Sequence, residues 1–255
     1  MTSDADMPEL RAQRPVSLAN PTRFFRVANR LLPWLGAATA VLFAVGLYLS
    51  LIASPPDYQQ SETVRIAYVH VPAAWMALFV YVLMAVASAV GLIWRHQLAL
   101  MAARAAAPAG LVFTALCLAT GSLWGAPMWG TWWEWDARMT SVLVLLFFYL
   151  GYVALIDAFD DPARGQLSAS ILCLVGAVNV PIVKFSVDWF HTLHQGATVF
   201  RLDGPTMHAS MLAPMLVMAA AFTLLFFVVL LWRMRGLRAR ARIAAAAATA
   251  AAEGA

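Results

Sequence analysis

Hydrophobic residues make up 62% of the 255-residue chain and charged residues only 12%, against roughly 25% charged in an ordinary soluble domain. That balance excludes a water-soluble globule and defines a multi-pass membrane protein. The net charge of +4 comes from arginines grouped at the ends of apolar runs, so it gives no reason to expect a nucleic-acid partner.

Crossing about 30 Å of hydrocarbon takes about 20 apolar residues. Six runs qualify, at about 34–54, 71–93, 106–124, 139–156, 168–187 and 210–232. The expected fold is therefore an all-α membrane protein, a bundle of six transmembrane helices. Orientation follows from the basic residues, which accumulate on cytoplasmic flanks. Thirteen of the seventeen lie on one side: Arg11, Arg14, Arg23, Arg26 and Arg30, then Arg95, Arg104 and Arg164, then Arg233, Arg235, Arg238, Arg240 and Arg242. The other side has only Arg65, Arg138, Lys184 and Arg201. Both termini are therefore expected in the cytoplasm.

In chain order, residues 1–32 form a cytoplasmic and interfacial arm, polar and broken by Pro15 and Pro21. They lack the short apolar run and small-residue cleavage site of a signal peptide and are expected in the mature chain. "PTRFFRVANRLL" mixes apolar side chains with three arginines, as suits an interfacial helix. Residues 33–232 form the six-helix domain, and 233–255 a basic, alanine-rich cytoplasmic tail that either prolongs the last helix or is disordered. Cys117 and Cys173 fall inside spans, outside any C-x-x-C or C-x-x-C-H motif, and read as small buried residues. No G-x-S-x-G or H-E-x-x-H pattern supports a hydrolase, and no catalytic residue is assigned: the chain is not read as an enzyme.

Chemistry concentrates on the side away from the termini. Residues 124–141, "WGAPMWGTWWEWDARMTS", hold five of the ten tryptophans beside Glu134, Asp136 and Arg138. Each indole N–H wants a partner, so a cluster this dense suits a flat, apolar, partly wet surface better than a closed core. His70, His191, His194 and His208 share that side, whereas His96 sits at the cytoplasmic end of the second span in an ordinary interfacial role. Zinc would recruit three or four close ligands and gain nothing from a tryptophan wall. Haem needs one or two axial ligands, broad apolar contact and cations for its propionates. His70 and His194 come from different connections and can approach an iron from opposite faces. Trp129, Trp132, Trp133 and Trp135 supply flat surface. Arg65 and Arg138 offer guanidinium forks suited to carboxylates. Asp136 is expected to orient Arg138 or cap the fourth helix.

"WGTWWEWDAR" resembles the tryptophan-rich WWD signature of membrane haem-handling proteins. Together with "RIAYVHVPAAW" and "TLHQG", on six spans, it closely resembles the CcmC family of cytochrome c maturation, over about residues 30–232. The resemblance implies that b-type haem is bound non-covalently and transiently at the periplasmic face, with His70 and His194 as axial ligands of the iron. It implies that the segment carrying Trp124, Trp129, Trp132, Trp133, Trp135 and Asp136 contacts haem and a periplasmic haem chaperone, to which the haem is delivered. It further implies an ABC-type ATPase, its membrane subunits and a small single-span membrane subunit as partners. His191 is extra to the family pattern, one helical turn before His194. Two other readings of the residues stay open. One is a b-type cytochrome subunit, which would want histidines at mid-membrane depth. The other is a transporter whose spans conduct the ligand past Thr114, Thr120, Asn179 and Lys184, with Pro181 breaking the fifth helix.

Overall fold

The computed structural model of the protein describes residues 19–196 and 198–253. Among them the regular structure is helical throughout: α1 (Pro21–Tyr48), α2 (Ala67–Ile93), α3 (Gln97–Trp129), α4 (Ala137–Ile156), α5 (Pro162–Gly176), α6 (Asn179–Trp189) and α7 (Ala209–Glu253). A π-helical turn, Leu49–Ala53, prolongs α1, and a 3-10 turn, Glu62–Ile66, leads into α2. With α5 and α6 counted as one interrupted span, six segments are long and apolar enough to cross a membrane.

The interruption follows from the sequence around Pro181. Proline lacks an N–H and cannot serve the carbonyl four residues back. The Ala177 carbonyl instead accepts from the Val180 N–H at 3.1 Å, and Pro181 sits in the first turn of α6, where its missing donor costs nothing. The break itself falls at Ala177–Val178. Asn179, at its edge, is buried and donates through Nδ2 to the Ser141 carbonyl of α4 at 2.9 Å.

Small residues let the central helices approach. Ala103, Ala105, Ala106, Ala107 and Gly110 of α3 are buried, and Gly110 leaves space that the Tyr149 ring of α4 fills. The Tyr149 hydroxyl then donates to the Ala77 carbonyl of α2 at 2.8 Å, so a buried phenol bridges three helices without stranding its O–H. α1 lies at the edge against α7, where Gly46 admits Met218.

Several ends differ from those expected. Residues 21–32 and the first span are one helix, α1, capped by Asn20, whose Oδ1 accepts from the Thr22 and Arg23 amides. The guanidinium of Arg238 lies 4.4 Å from the ring centre of Phe25, joining α1 to the end of α7. Arg11, Arg14 and Pro15 of the arm lie outside the described residues. α3 overruns its expected end at 124 and carries Trp124 and Trp129, because it stops only at Gly130, whose φ of 74° is the left-handed conformation that ends helices. α7 runs on to Glu253 through the alanine-rich stretch.

The substitution Asn179→Leu removes the hydrogen bond to the Ser141 carbonyl. Interhelical bonds of this kind contribute about 0.6 kcal/mol on average, with a ceiling near about 1.7 kcal/mol. The expected loss lies in that range, read by SDS unfolding in mixed micelles. An Asn179→Leu protein as stable as the parent would mean that the bond fixes geometry without adding stability.

Candidate functional site

One end of the bundle, the tryptophan end, carries the tryptophan-rich α3–α4 connection and the long α6–α7 connection. A cavity of about 300 Å³ opens there, walled by α2, α3, α4, α6 and the 194–200 segment. His70, Trp124, Trp129, Arg138 and His194 all line it.

His70 is the fourth residue of α2, near the tryptophan end. Its Nδ1 lies 3.0 Å from the Cys117 carbonyl of α3 and 3.1 Å from Thr120 Oγ1. A carbonyl only accepts, so Nδ1 carries the proton and Nε2 keeps its lone pair. Gly121 makes this seat possible, since a Cβ there would stand 3.0 Å from His70 Cε1. Trp124 meets the His70 ring edge-on at 5.7 Å, and its own Nε1–H donates to Gln60 Oε1 at 3.1 Å. Gln60 is set in turn by Asp57, whose Oδ1 accepts from the Gln59 and Gln60 amides at 2.9 and 2.8 Å, a local Asx turn.

His194 is built differently but ends the same way. It lies in a non-helical connection, where Thr192 Oγ1 accepts from its backbone N–H at 2.8 Å. Its Nδ1 stands 3.1 Å from Asp136 Oδ2. Asp136 also caps α4, Oδ1 accepting from the Met139 amide at 2.7 Å. A proton on Nδ1 again leaves Nε2 free, the arrangement in which a second partner fixes a metal-binding imidazole. Burial by itself raises the Asp136 pKa. The Met139 amide, Thr192 and His194 outweigh it and hold the carboxyl below its usual range. Burial lowers the His194 pKa, Asp136 opposes the shift, and Arg138 adds to it. His194 is therefore neutral, with a lone pair to offer, at neutral pH.

The remaining expected residues divide. Trp129 packs edge-on against His194 at 4.8 Å. Arg138 donates from Nε to Ser186 Oγ of α6 at 2.6 Å, and among the described residues it donates no hydrogen bond to Asp136. Arg65 lies off the cavity wall, paired to Glu62 and donating to the Ser50 carbonyl at 3.0 Å. Trp132 and Trp135 are 62% and 72% exposed, and Trp133 meets Trp135 edge-on at 5.3 Å, all outside the cavity wall. His191 is exposed and also off the wall, because α6 ends at Trp189 and the helical one-turn spacing to His194 does not arise. The lining residues not assigned to the site from the sequence include two large aromatics and two charges: Trp75, Phe200, Lys184 and Asp188. The last two announce themselves as charges at i and i+4 within an apolar span. Trp75 and Phe200 carry no such signal. His96 caps α3, its Nδ1 accepting from the Ala99 amide at 3.2 Å, and both cysteines are buried thiols.

Two tautomer-fixed imidazoles, edge-on indoles and a guanidinium thus face one apolar cavity in a polytopic helical membrane protein. A family profile described as heme exporter protein C matches residues 15–249, and the chain belongs to that family. It is 57% identical over 228 residues to heme exporter protein C of Bradyrhizobium diazoefficiens, covering 89% of this chain and 86% of that protein. The protein of the same name from Escherichia coli K12 is 46% identical over 220 residues, 86% of this chain and 89% of the relative. That of Paracoccus denitrificans is 44% identical over 228 residues, 89% and 94%. The chain is accordingly a multi-pass protein of a bacterial inner membrane.

A pH titration of the imidazole nitrogens by NMR tests the Asp136–His194 pair. The folded pKa of His194 is lowered, so the neutral ring persists above the ordinary value of about 6.5 and is lost only as pH falls below it. Asp136→Asn keeps an oxygen to cap α4 but removes the charge that favours protonation. The His194 midpoint should move further down, with helix content unchanged. A midpoint that stays or rises would mean that Asp136 does not act on the ring.

Proposed function

We propose that the protein binds haem at the periplasmic face of the inner membrane and delivers it to a periplasmic haem chaperone for c-type cytochrome maturation. The observation that carries this reading is the matched state of His70 and His194: each spends Nδ1 on a fixed acceptor, which leaves Nε2 unprotonated, and each lines the same cavity. In this reading the two histidines are the axial ligands. Trp124 and Trp129 steady the rings, and Arg138 holds a propionate. The few charges on the tryptophan end and the arginine-rich opposite end orient the termini toward the cytoplasm.

Haem here is cargo. A carrier must keep it from water yet leave an edge for the next protein, and a site at helix ends serves that need where one buried at mid-membrane would retain it. The exposed indoles of Trp132 and Trp135, off the cavity wall, are free to meet the chaperone. Haem is held non-covalently and passed on in this reading, so the chain needs no nucleophile of its own. Its membership of the heme exporter C family supports work alongside an ABC-type ATPase, membrane subunits and a small single-span subunit.

Purified in mild detergent from a haem-replete host, the protein should show a Soret band. His194→Ala and His70→Ala should lose or displace that band, and His191→Ala should leave it. Arg138→Ala should weaken native haem much more than its dimethyl ester, because a buried partner stranded without its counter-charge costs about 3–5 kcal/mol. A colourless parent that stays colourless with added haem, or a band lost with His191 rather than His194, would end the reading.

A further inference from the structure

Lys184 is the one cavity-lining cation that the site described above does not use. It lies on α6 five residues before the helix ends at Trp189, which at 1.5 Å per residue is about 7–8 Å along the axis inside the span. It is exposed, lines the cavity, and makes no hydrogen bond or ion pair among the described residues. A lysine without a counter-charge at that depth reaches for the interface or faces a cavity, where such residues mark substrate pathways.

The surrounding geometry says which way the cavity opens. α6 holds to α4 through Asn179 and through Ser186, which accepts from Arg138. Val187, Lys184 and Asp188 lie on the adjoining flank, and that flank, with Trp75 and Leu78 of α2, forms the cavity wall. Since Lys184 and Asp188 both line the cavity and Lys184 is exposed, the wall is open there. α5 ends at Gly176 and contributes nothing to the lining. Phe200 leans on Trp75 with ring centres 5.0 Å apart, and both line the cavity. Asp188, one turn nearer the water, is the only carboxylate on the wall among the described residues; Lys184 and Arg138 are its cations.

We infer that the gap between α2 and α6 is a lateral mouth open to the bilayer, through which an apolar ligand bearing carboxylates passes, and that Lys184 is the carboxylate anchor at that mouth. The inference rests on the haem reading for the ligand's identity. The ligand class follows from the wall itself: aromatic and aliphatic on both sides, with a cation whose long stem reaches toward the interface, where a membrane-dissolved amphiphile carries its acid groups. An ammonium on a flexible stem can meet the carboxylate near the headgroups and swing inward with it. Arg138, fixed to Ser186, then receives it deeper in the cavity.

The test uses the full chain reconstituted in vesicles preloaded with haem in the bilayer, following growth of the Soret band. Lys184→Glu should slow loading by roughly tenfold or more, Lys184→Arg should stay near the parent, and dimethyl-ester haem should load equally into all three. A nitroxide on Leu78→Cys, read without ligand, should be relaxed by oxygen more than by a water-soluble nickel chelate. Unslowed loading in Lys184→Glu, or equal slowing of the ester, would overturn the anchor. Preferential relaxation by the nickel chelate would overturn the lipid-facing mouth. A parent that never develops a band, in vesicles or in detergent, would instead sink the haem reading and take the anchor's ligand with it.

Discussion

The site depends on one carboxylate doing two jobs. Asp136 Oδ1 accepts from the Met139 amide, starting α4, while Oδ2 meets Nδ1 of His194 in a connection fifty-eight residues later in the chain. The first bond fixes the carboxyl's plane to a rigid helix, so the second transmits that rigidity to a segment with no regular structure of its own. Without it, the hydrogen bonding of His194 among the described residues would come down to Thr192, two residues away in the same connection, beside the edge-on contact of Trp129. The cost of burying the carboxyl is met by three donors, which is why it remains ionised and able to fix the imidazole tautomer.

The membrane imposes the rest. In hydrocarbon every backbone polar group must be satisfied within the protein, so a break in a span has to be re-bonded locally. At Ala177–Val178 this is done by shortened turns: the Ala177 and Val178 amides donate to Leu174 and Val175 carbonyls, and the Val180 amide to Ala177. Asn179 adds the link to α4. On the far side of the break α6 lines the cavity, through Val183, Lys184, Val187 and Asp188, whereas α5 does not.

How much of this is readable from the sequence varies with the range of the interaction. Six apolar runs, the cap at Asp136 and the break near Pro181 are local effects, and each is visible in a short window of residues. Helix ends are harder: the apolar run of α3 fades at Trp124, yet its hydrogen bonding continues to Gly130, because tryptophan and methionine tolerate the helix and only the left-handed glycine stops it. The least readable features are pairings between distant segments and the direction in which a charge is spent. Arg65 shares its side of the membrane with the histidines, but Glu62, three residues before it, takes its charge. Lys184 reads from the sequence only as a polar residue that could mark a path through a span, and which cavity it lines emerges from the fold. Phe200 and Trp75 meet from opposite halves of the chain, with nothing in either neighbourhood to say so.

The two histidines differ in what would have to move to release a ligand between them. His70 is held by α2 and α3 together, with Gly121 and Trp124 against its ring, so displacing it means shifting two packed helices. His194 is held by one carboxylate and one hydroxyl in a connection, and Trp129 touches it only edge-on. In the proposed role, handover therefore begins at His194. A partner that competes for Asp136, or draws the 190–196 segment outward, loosens that ligand while His70 keeps the cargo in register. Under that proposal the order is set by rigidity: the histidine on packed helices stays, and the histidine on the connection leaves.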